Sequence, residues 1–134
     1  MSPTFLTLDE ILALHEDQIG RYGGRRGVRD LSLLASAMGM PAATFDGVLL
    51  HNDLFEMAAA YLFHIARNHP FVDGNKRTAL AAALTFLWLN GFRLVADEAA
   101  LTDLVVKVAV GEVTKAEAAV FLKAHRRPHR NQSR

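Results

Sequence analysis

Residues 52–91 read NDLFEMAAAYLFHIARNHPFVDGNKRTALAAALTFLWLNG, two apolar runs broken by a short polar loop. The first run places Leu54, Met57, Ala58, Tyr61, Leu62 and Ile65 at helical spacing, which predicts a helix from Asn52 or Asp53 to Arg67. The second predicts a helix from about Asn75 to Asn90, with Gly91 as a stop. It is apolar nearly all round, at Ala79, Leu80, Ala82, Ala83, Leu84, Phe86, Leu87 and Leu89, so it is expected to be the central helix of a bundle. Between them, Asn68 to Gly74 is a loop, and His69, Asp73, Asn75, Lys76 and Arg77 fall within nine positions.

The rest of the chain is also helical in pattern. Thr7 and Glu10 form a capping-box pair ahead of Ile11, Leu12, Leu14 and Ile19. Gly23, Gly24 and Gly27 break that helix into a loop. Asp30 suits the cap of a short helix, Leu31 to Met38. Residues 40–51 are mixed and predict a small hairpin or an irregular flap. Asp97 suits the cap of a helix to Val110, and Thr114 that of a last helix ending near Ala124. There is no convincing run of strands, so the fold class is all-α with at most one short hairpin.

The chain has 134 residues, the size of one domain, and 51% hydrophobic with 22% charged residues suits a soluble globular fold rather than a disordered one. With no cysteine, disulfides, thiol catalysis and thiolate metal sites are excluded. The apolar run Thr78–Leu89 is too short to cross a bilayer, and Asp9 and Glu10 stand where a signal peptide would be apolar. A cytoplasmic protein is the simplest expectation. Residues 1–124 are read as one domain. Residues 125–134 carry Arg126, Arg127, Arg130 and Arg134 and no acid, and are expected to be a basic, solvated tail. Without them the body holds 11 basic and 14 acidic residues, a net −3, so direct binding of DNA by this chain is not expected.

The loop carries the chemistry. Phe71 is its one large apolar side chain and is expected to anchor it in the core. Pro70 biases His69 towards an extended backbone off the preceding helix. Gly74 permits a close approach that a side chain would prevent. The helix starting at Asn75 presents free N–H groups and a positive dipole end, yet Lys76 and Arg77 occupy its first turn, where acids are usual. Two cations there suit a bound anion, and a polyphosphate best. Asp73 beside it would be a hard oxygen ligand for Mg²⁺, and His69 a general base for an attacking hydroxyl. Base, metal and cationic cradle together describe phosphoryl or nucleotidyl transfer. A zinc site and a purely structural loop are the competing readings.

At His69, Phe71, Asp73, Gly74, Asn75 and Arg77 the segment resembles the signature of the Fic/Doc family. Leu12-Ala13-Leu14-His15, Arg21-Tyr22-Gly23-Gly24, Asp53-Leu54-Phe55-Glu56, the run from Asn75 to Leu80 and Asn90-Gly91 are similar to its death-on-curing (Doc) branch. The resemblance covers most of residues 5–124. It implies a toxin of a toxin–antitoxin pair that uses ATP with Mg²⁺ to phosphorylate a threonine of elongation factor Tu and arrest translation. It implies His69 as the catalytic base, Asp73 as the Mg²⁺ ligand, and Gly74, Asn75, Lys76 and Arg77 as phosphate-binding residues. Arg21 matches a position near the site. Lys76 stands where adenylylating members usually have glycine, and Leu80 where they often have a second arginine. Gly74, conversely, is nearer the adenylylating form, so AMP transfer to a protein hydroxyl is the alternative. A catalytically silent binding module is a third reading. The sequence has no in-chain inhibitory pattern, which implies inhibition in trans by an antitoxin whose C-terminal segment folds on binding.

Overall fold

The computed structural model describes residues 2–129. Its helices are α1 (Leu8–Tyr22), α2 (Leu31–Gly39), α3 (Leu54–Asn68), α4 (Asn75–Leu89), α5 (Glu98–Ala109) and α6 (Lys115–Ala124). The all-α class is as the pattern predicts. Thr7 and Thr114 each close a full capping box, with Glu10 and Glu117. The side chains of Asp30 and Asp53 accept first-turn N–H groups of α2 and α3. Asp97 occupies the cap position of α5, but its side chain makes no capping bond.

Residues 40–51 do contain a hairpin. Strands β1 (Thr44–Phe45) and β2 (Val48–Leu49) pair antiparallel, and Asp46 and Gly47, both at positive φ, make the turn. A second pair was not legible: β3 (Phe92–Leu94) runs antiparallel to β4 (Arg126–Pro128). Residues 126–128 are exposed, as a tail would be, but they are paired as a strand rather than frayed. His129 also stacks on the Trp88 ring, centroids 3.6 Å apart. Residues 130–134 lie outside the described residues.

The central helix is α3, not α4. It packs against α2, α4, α5 and α6, and buries Phe55, Met57, Ala58–Ala60, Tyr61, Leu62, Ile65 and Ala66. The run of alanines lets neighbouring helices approach closely, and each fully buried large side chain contributes roughly 1.5–3 kcal/mol. Helix α4 buries only one face, Thr78, Ala79, Ala82, Ala83, Phe86 and Leu87. Of its other apolar residues, Leu80, Ala81 and Leu84 are half-buried and line a groove instead, and Trp88 and Leu89 are exposed. A helix can thus be apolar all round because it serves a core and a groove at once. Tyr61 is fully buried and its hydroxyl accepts the Leu6 N–H at 3.0 Å, tying the N-terminal segment to α3. Among the described residues no helix is long and apolar enough to cross a membrane.

Candidate active site

Helices α3 and α4 are joined by residues 69–74, and three sets of bonds hold that loop. The first closes the end of α3. His69 leaves the helix at φ 50°, ψ 55°, a left-handed conformation and not the extended one expected before Pro70. The helix-terminating αL position wins over the pre-proline bias because Arg29 binds the exposed carbonyls. Its guanidinium donates to His69 O at 2.7 Å and Asn68 O at 3.0 Å.

The second set comes from the glycine loop after α1. Val28 and Phe71 form an antiparallel bridge. Pro70 O accepts the N–H groups of Arg29 and Asp30, and Val72 N–H donates to Gly27 O at 3.0 Å. Asp73 Oδ2 accepts the Arg25 N–H at 2.9 Å. Gly24 must be small here, since a Cβ would meet Ile19 Cδ1 at 3.0 Å at a φ of +119°.

The third set is internal. Phe71 is 1% exposed, as its anchoring role requires. It stacks on His15, with ring centroids 3.9 Å apart and planes within 6°. His15 is 3% exposed, and its Nε2–H donates to Asp73 O at 2.8 Å. The Asn75 side chain reaches back to Phe71, accepting its N–H at 2.9 Å and donating to its carbonyl at 3.0 Å. Asn75 therefore shapes the loop with its side chain, and only its backbone N–H faces the start of α4.

What this frame presents is an open helix start. Gly74 is the N-cap of α4 at φ 76°, with no side-chain capping bond, and the first backbone bond of the helix runs from Thr78 to Gly74. The N–H groups of Asn75, Lys76 and Arg77 thus have no partner within the helix. Lys76 and Arg77 are exposed, and neither meets a carboxylate at ion-pair distance among the described residues. Arg77 lies over the Tyr22 ring, 4.8 Å from its centroid. A groove of about 740 Å³ begins at these residues and runs between the end of α1, α4 and α5, with Leu80, Leu84 and Val105 on its apolar side. His69 and Asp73 are exposed on the same loop.

A description of the Fic/DOC family matches residues 5–87. The chain belongs to the Fic/Doc family. A protein named Toxin Doc from Mycolicibacterium smegmatis is 54% identical over 76 residues, covering 57% of this chain and 58% of that protein. Protein kinase doc of Escherichia phage P1 is 41% identical over 117 residues, covering 86% of this chain and 90% of that protein. Both similarities are to the Doc branch.

The Fic/Doc loop brings His69, Phe71, Asp73, Gly74, Asn75, Lys76 and Arg77 together. It does not bring in Arg21, which is exposed on α1 and bonded through Nε to Asp17 at 2.9 Å, and which does not line the groove. Two loop-building residues had no assigned part in the sequence reading, His15 and Arg29. His15 carried a signal, because it falls on the buried face of α1 with Ile11 and Ile19, four residues either side. Arg29 carried none, since its partners are 39 and 40 residues away.

The frame also bears on a metal. Asp73 has one oxygen held by the Arg25 N–H, and Oδ1 makes no bond among the described residues. No group of three or more His, Cys, Asp or Glu side chains among the described residues could hold a metal ion alone. A single fixed carboxylate fits Mg²⁺, which commonly takes one or two carboxylates and completes its shell with water and phosphate oxygens.

Proposed function

We propose that the chain is a Doc-like toxin that transfers the γ-phosphate of ATP to a Ser or Thr hydroxyl of a protein, with elongation factor Tu as the target and arrested translation as the outcome. The observation that carries this reading is the uncapped start of α4. It joins three N–H groups free of helix partners to two exposed cations that meet no carboxylate at ion-pair distance among the described residues, on a loop that also carries an exposed histidine and a half-free carboxylate. The similarity to a protein named a kinase, over 86% of the chain, supports it.

In this reading the N–H groups of Asn75, Lys76 and Arg77, at the glycine turn of Gly74, bind the phosphates together with the Lys76 and Arg77 side chains and offset charge as it develops. His69 takes the proton of the attacking hydroxyl. The hydroxyl oxygen bonds to the γ-phosphorus, the bond to the β–γ bridging oxygen breaks, and ADP leaves. Asp73 Oδ1 would hold Mg²⁺, which supplies charge neutralisation at the phosphate oxygens. Positioning and electrostatics carry nearly all of such a reaction, and a rigid loop suits that. Control is by a separate antitoxin chain.

AMP transfer through the same residues is favoured by one feature, Gly74, which leaves the phosphate turn without a side chain. Intact mass spectrometry of elongation factor Tu incubated with the protein, ATP and Mg²⁺ separates the two. A phosphate-sized gain that vanishes in His69→Ala is expected. An AMP-sized gain would replace the kinase reading, and no gain would remove this target.

A further inference from the structure

A second cavity, of about 560 Å³, opens between the end of the β1–β2 hairpin, the start of α3 and one face of α6. No residue of the 69–77 loop lines it. Leu50, Phe55 and Val120 give it an apolar wall.

Its polar groups are unevenly matched. Asp53 Oδ1 accepts the N–H groups of Phe55 and Glu56, and Oδ2 lies 3.6 Å from Lys123 Nζ. Glu56 Oε1 accepts the Asn52 N–H at 3.0 Å. Lys115 has no such counterpart, and meets no carboxylate at ion-pair distance among the described residues. Its ammonium donates to His64 Nε2 at 3.2 Å and lies 5.6 Å from the Phe63 ring centroid. His51 is 5% exposed; the Pro41 and Met40 backbone lies against its ring, and its Nδ1 is buried with no hydrogen-bond partner among the described residues. Burial first, and the Lys115 charge second, push both imidazoles below their ordinary value, His64 to about 4. The cavity is therefore lined by one imidazole, His51, beside the Lys115 cation, whose ammonium is held by His64 outside the lining.

A buried ring nitrogen without a partner and a half-buried ammonium without a counter-ion are each unfavourable, and a ligand could relieve both. One unpaired cation suits one negative charge. The carboxylates of Asp53 and Glu56 at the rim oppose a second, which favours a monoanion over a phosphate dianion. The volume falls in the range of small-molecule sites, about 300–1,000 Å³. We propose that this cavity binds a small-molecule carboxylic acid, its carboxylate at Lys115 and His51 and its apolar stem against Leu50, Phe55 and Val120.

Octanoate is the probe, titrated into the full-length protein and followed by NMR, with acetate and 1-octanol as controls. Saturable shifts at His51, Lys115 and Val120 are expected, with acetate and octanol at least about tenfold weaker. Lys115→Met keeps the stem, deletes the charge and should raise the octanoate Kd about tenfold or more. Ala116→Trp, at an exposed lining position, should block entry while leaving the unfolding curve in place. Equal affinity for octanoate and octanol would overturn the proposal. So would a Kd unmoved by both variants, the absence of saturation, or shifts confined to the α4–α5 groove.

Discussion

His15 supports the motif loop from α1, outside the loop itself. It supplies a stack on Phe71 at 3.9 Å and a 2.8 Å bond to the Asp73 carbonyl, from a position 3% exposed. His15→Ala removes both and leaves a small void. The orphaned carbonyl costs roughly 1–3 kcal/mol, the lost stack about 0.5–1.5 kcal/mol, and the void adds to these. A total near 3 kcal/mol follows, or a fall in Tm of about 12 °C at roughly 4 °C per kcal/mol. His15→Phe keeps an aromatic ring against Phe71 and deletes only the bond, so its cost should be nearer 1–2 kcal/mol. Urea unfolding of the three proteins measures the order. Amide exchange at Phe71 and Val72, whose N–H groups are bonded to Asn75 Oδ1 and Gly27 O, measures the consequence, and it should quicken in both variants, because the carbonyl that fixes the turn is released in both. A Phe variant as damaging as Ala would show that the ring fit outweighs the bond. A Phe variant with unchanged stability and unchanged exchange would refute the claim that the bond holds the turn.

Three further outcomes follow from the same geometry. Asn75→Ala should cost about 1–3 kcal/mol in urea unfolding by deleting two bonds to Phe71, while Lys76→Ala, at an exposed position, should stay within about 0.5 kcal/mol. Acid should destabilise the protein through His64. Its folded value is about 4 against an ordinary 6.5, so the unfolded chain takes up the proton first, and stability falls as pH drops from about 6.5 towards 4. The full shift corresponds to roughly 3 kcal/mol, and partial solvent exposure reduces that to about 1–2 kcal/mol. Comparing urea midpoints at pH 7.5 and 5 checks this, and His64→Leu should flatten the difference. Ending the chain at Ala124 should lower Tm by about 4–10 °C, since it deletes the β3–β4 pairing and the stack of His129 on Trp88; a purely solvated tail would leave Tm unmoved.

Local chemistry made much of this fold legible. Thr7 with Glu10 and Thr114 with Glu117 are short-range capping pairs, so their helices start where the pattern places them. The same holds for Asp30 and Asp53, whose acceptors serve N–H groups two or three residues on. What depended on distant partners was hidden. Arg126-Arg127-Pro128 has no strand signature of its own, and becomes β4 because Phe92–Leu94 offers an edge. The apolar face of α4 that lines the groove could not be told from a core face by periodicity. His69 takes a left-handed backbone because Arg29, forty residues earlier, satisfies its carbonyl.

The loop's side chains divide into two groups. Phe71, Asn75, His15 and Arg29 have their side chains committed to building the loop. The side chains of His69, Lys76 and Arg77 are exposed, and none has an acid partner or a side-chain hydrogen bond among the described residues. Arg77 lies over the face of Tyr22. Asp73 is split between the roles, one oxygen on Arg25 N–H and the other free. A loop selected only to connect two helices would have no use for the second group, and placing two cations at the positive end of α4 is electrostatically unfavourable. That cost is reversed when a polyanion sits at the helix start, because the dipole, the free N–H groups and the two side chains then act with the same sign. In the proposed reaction, the exposed side chains that do not build the loop are thus those whose charges a bound phosphate would compensate.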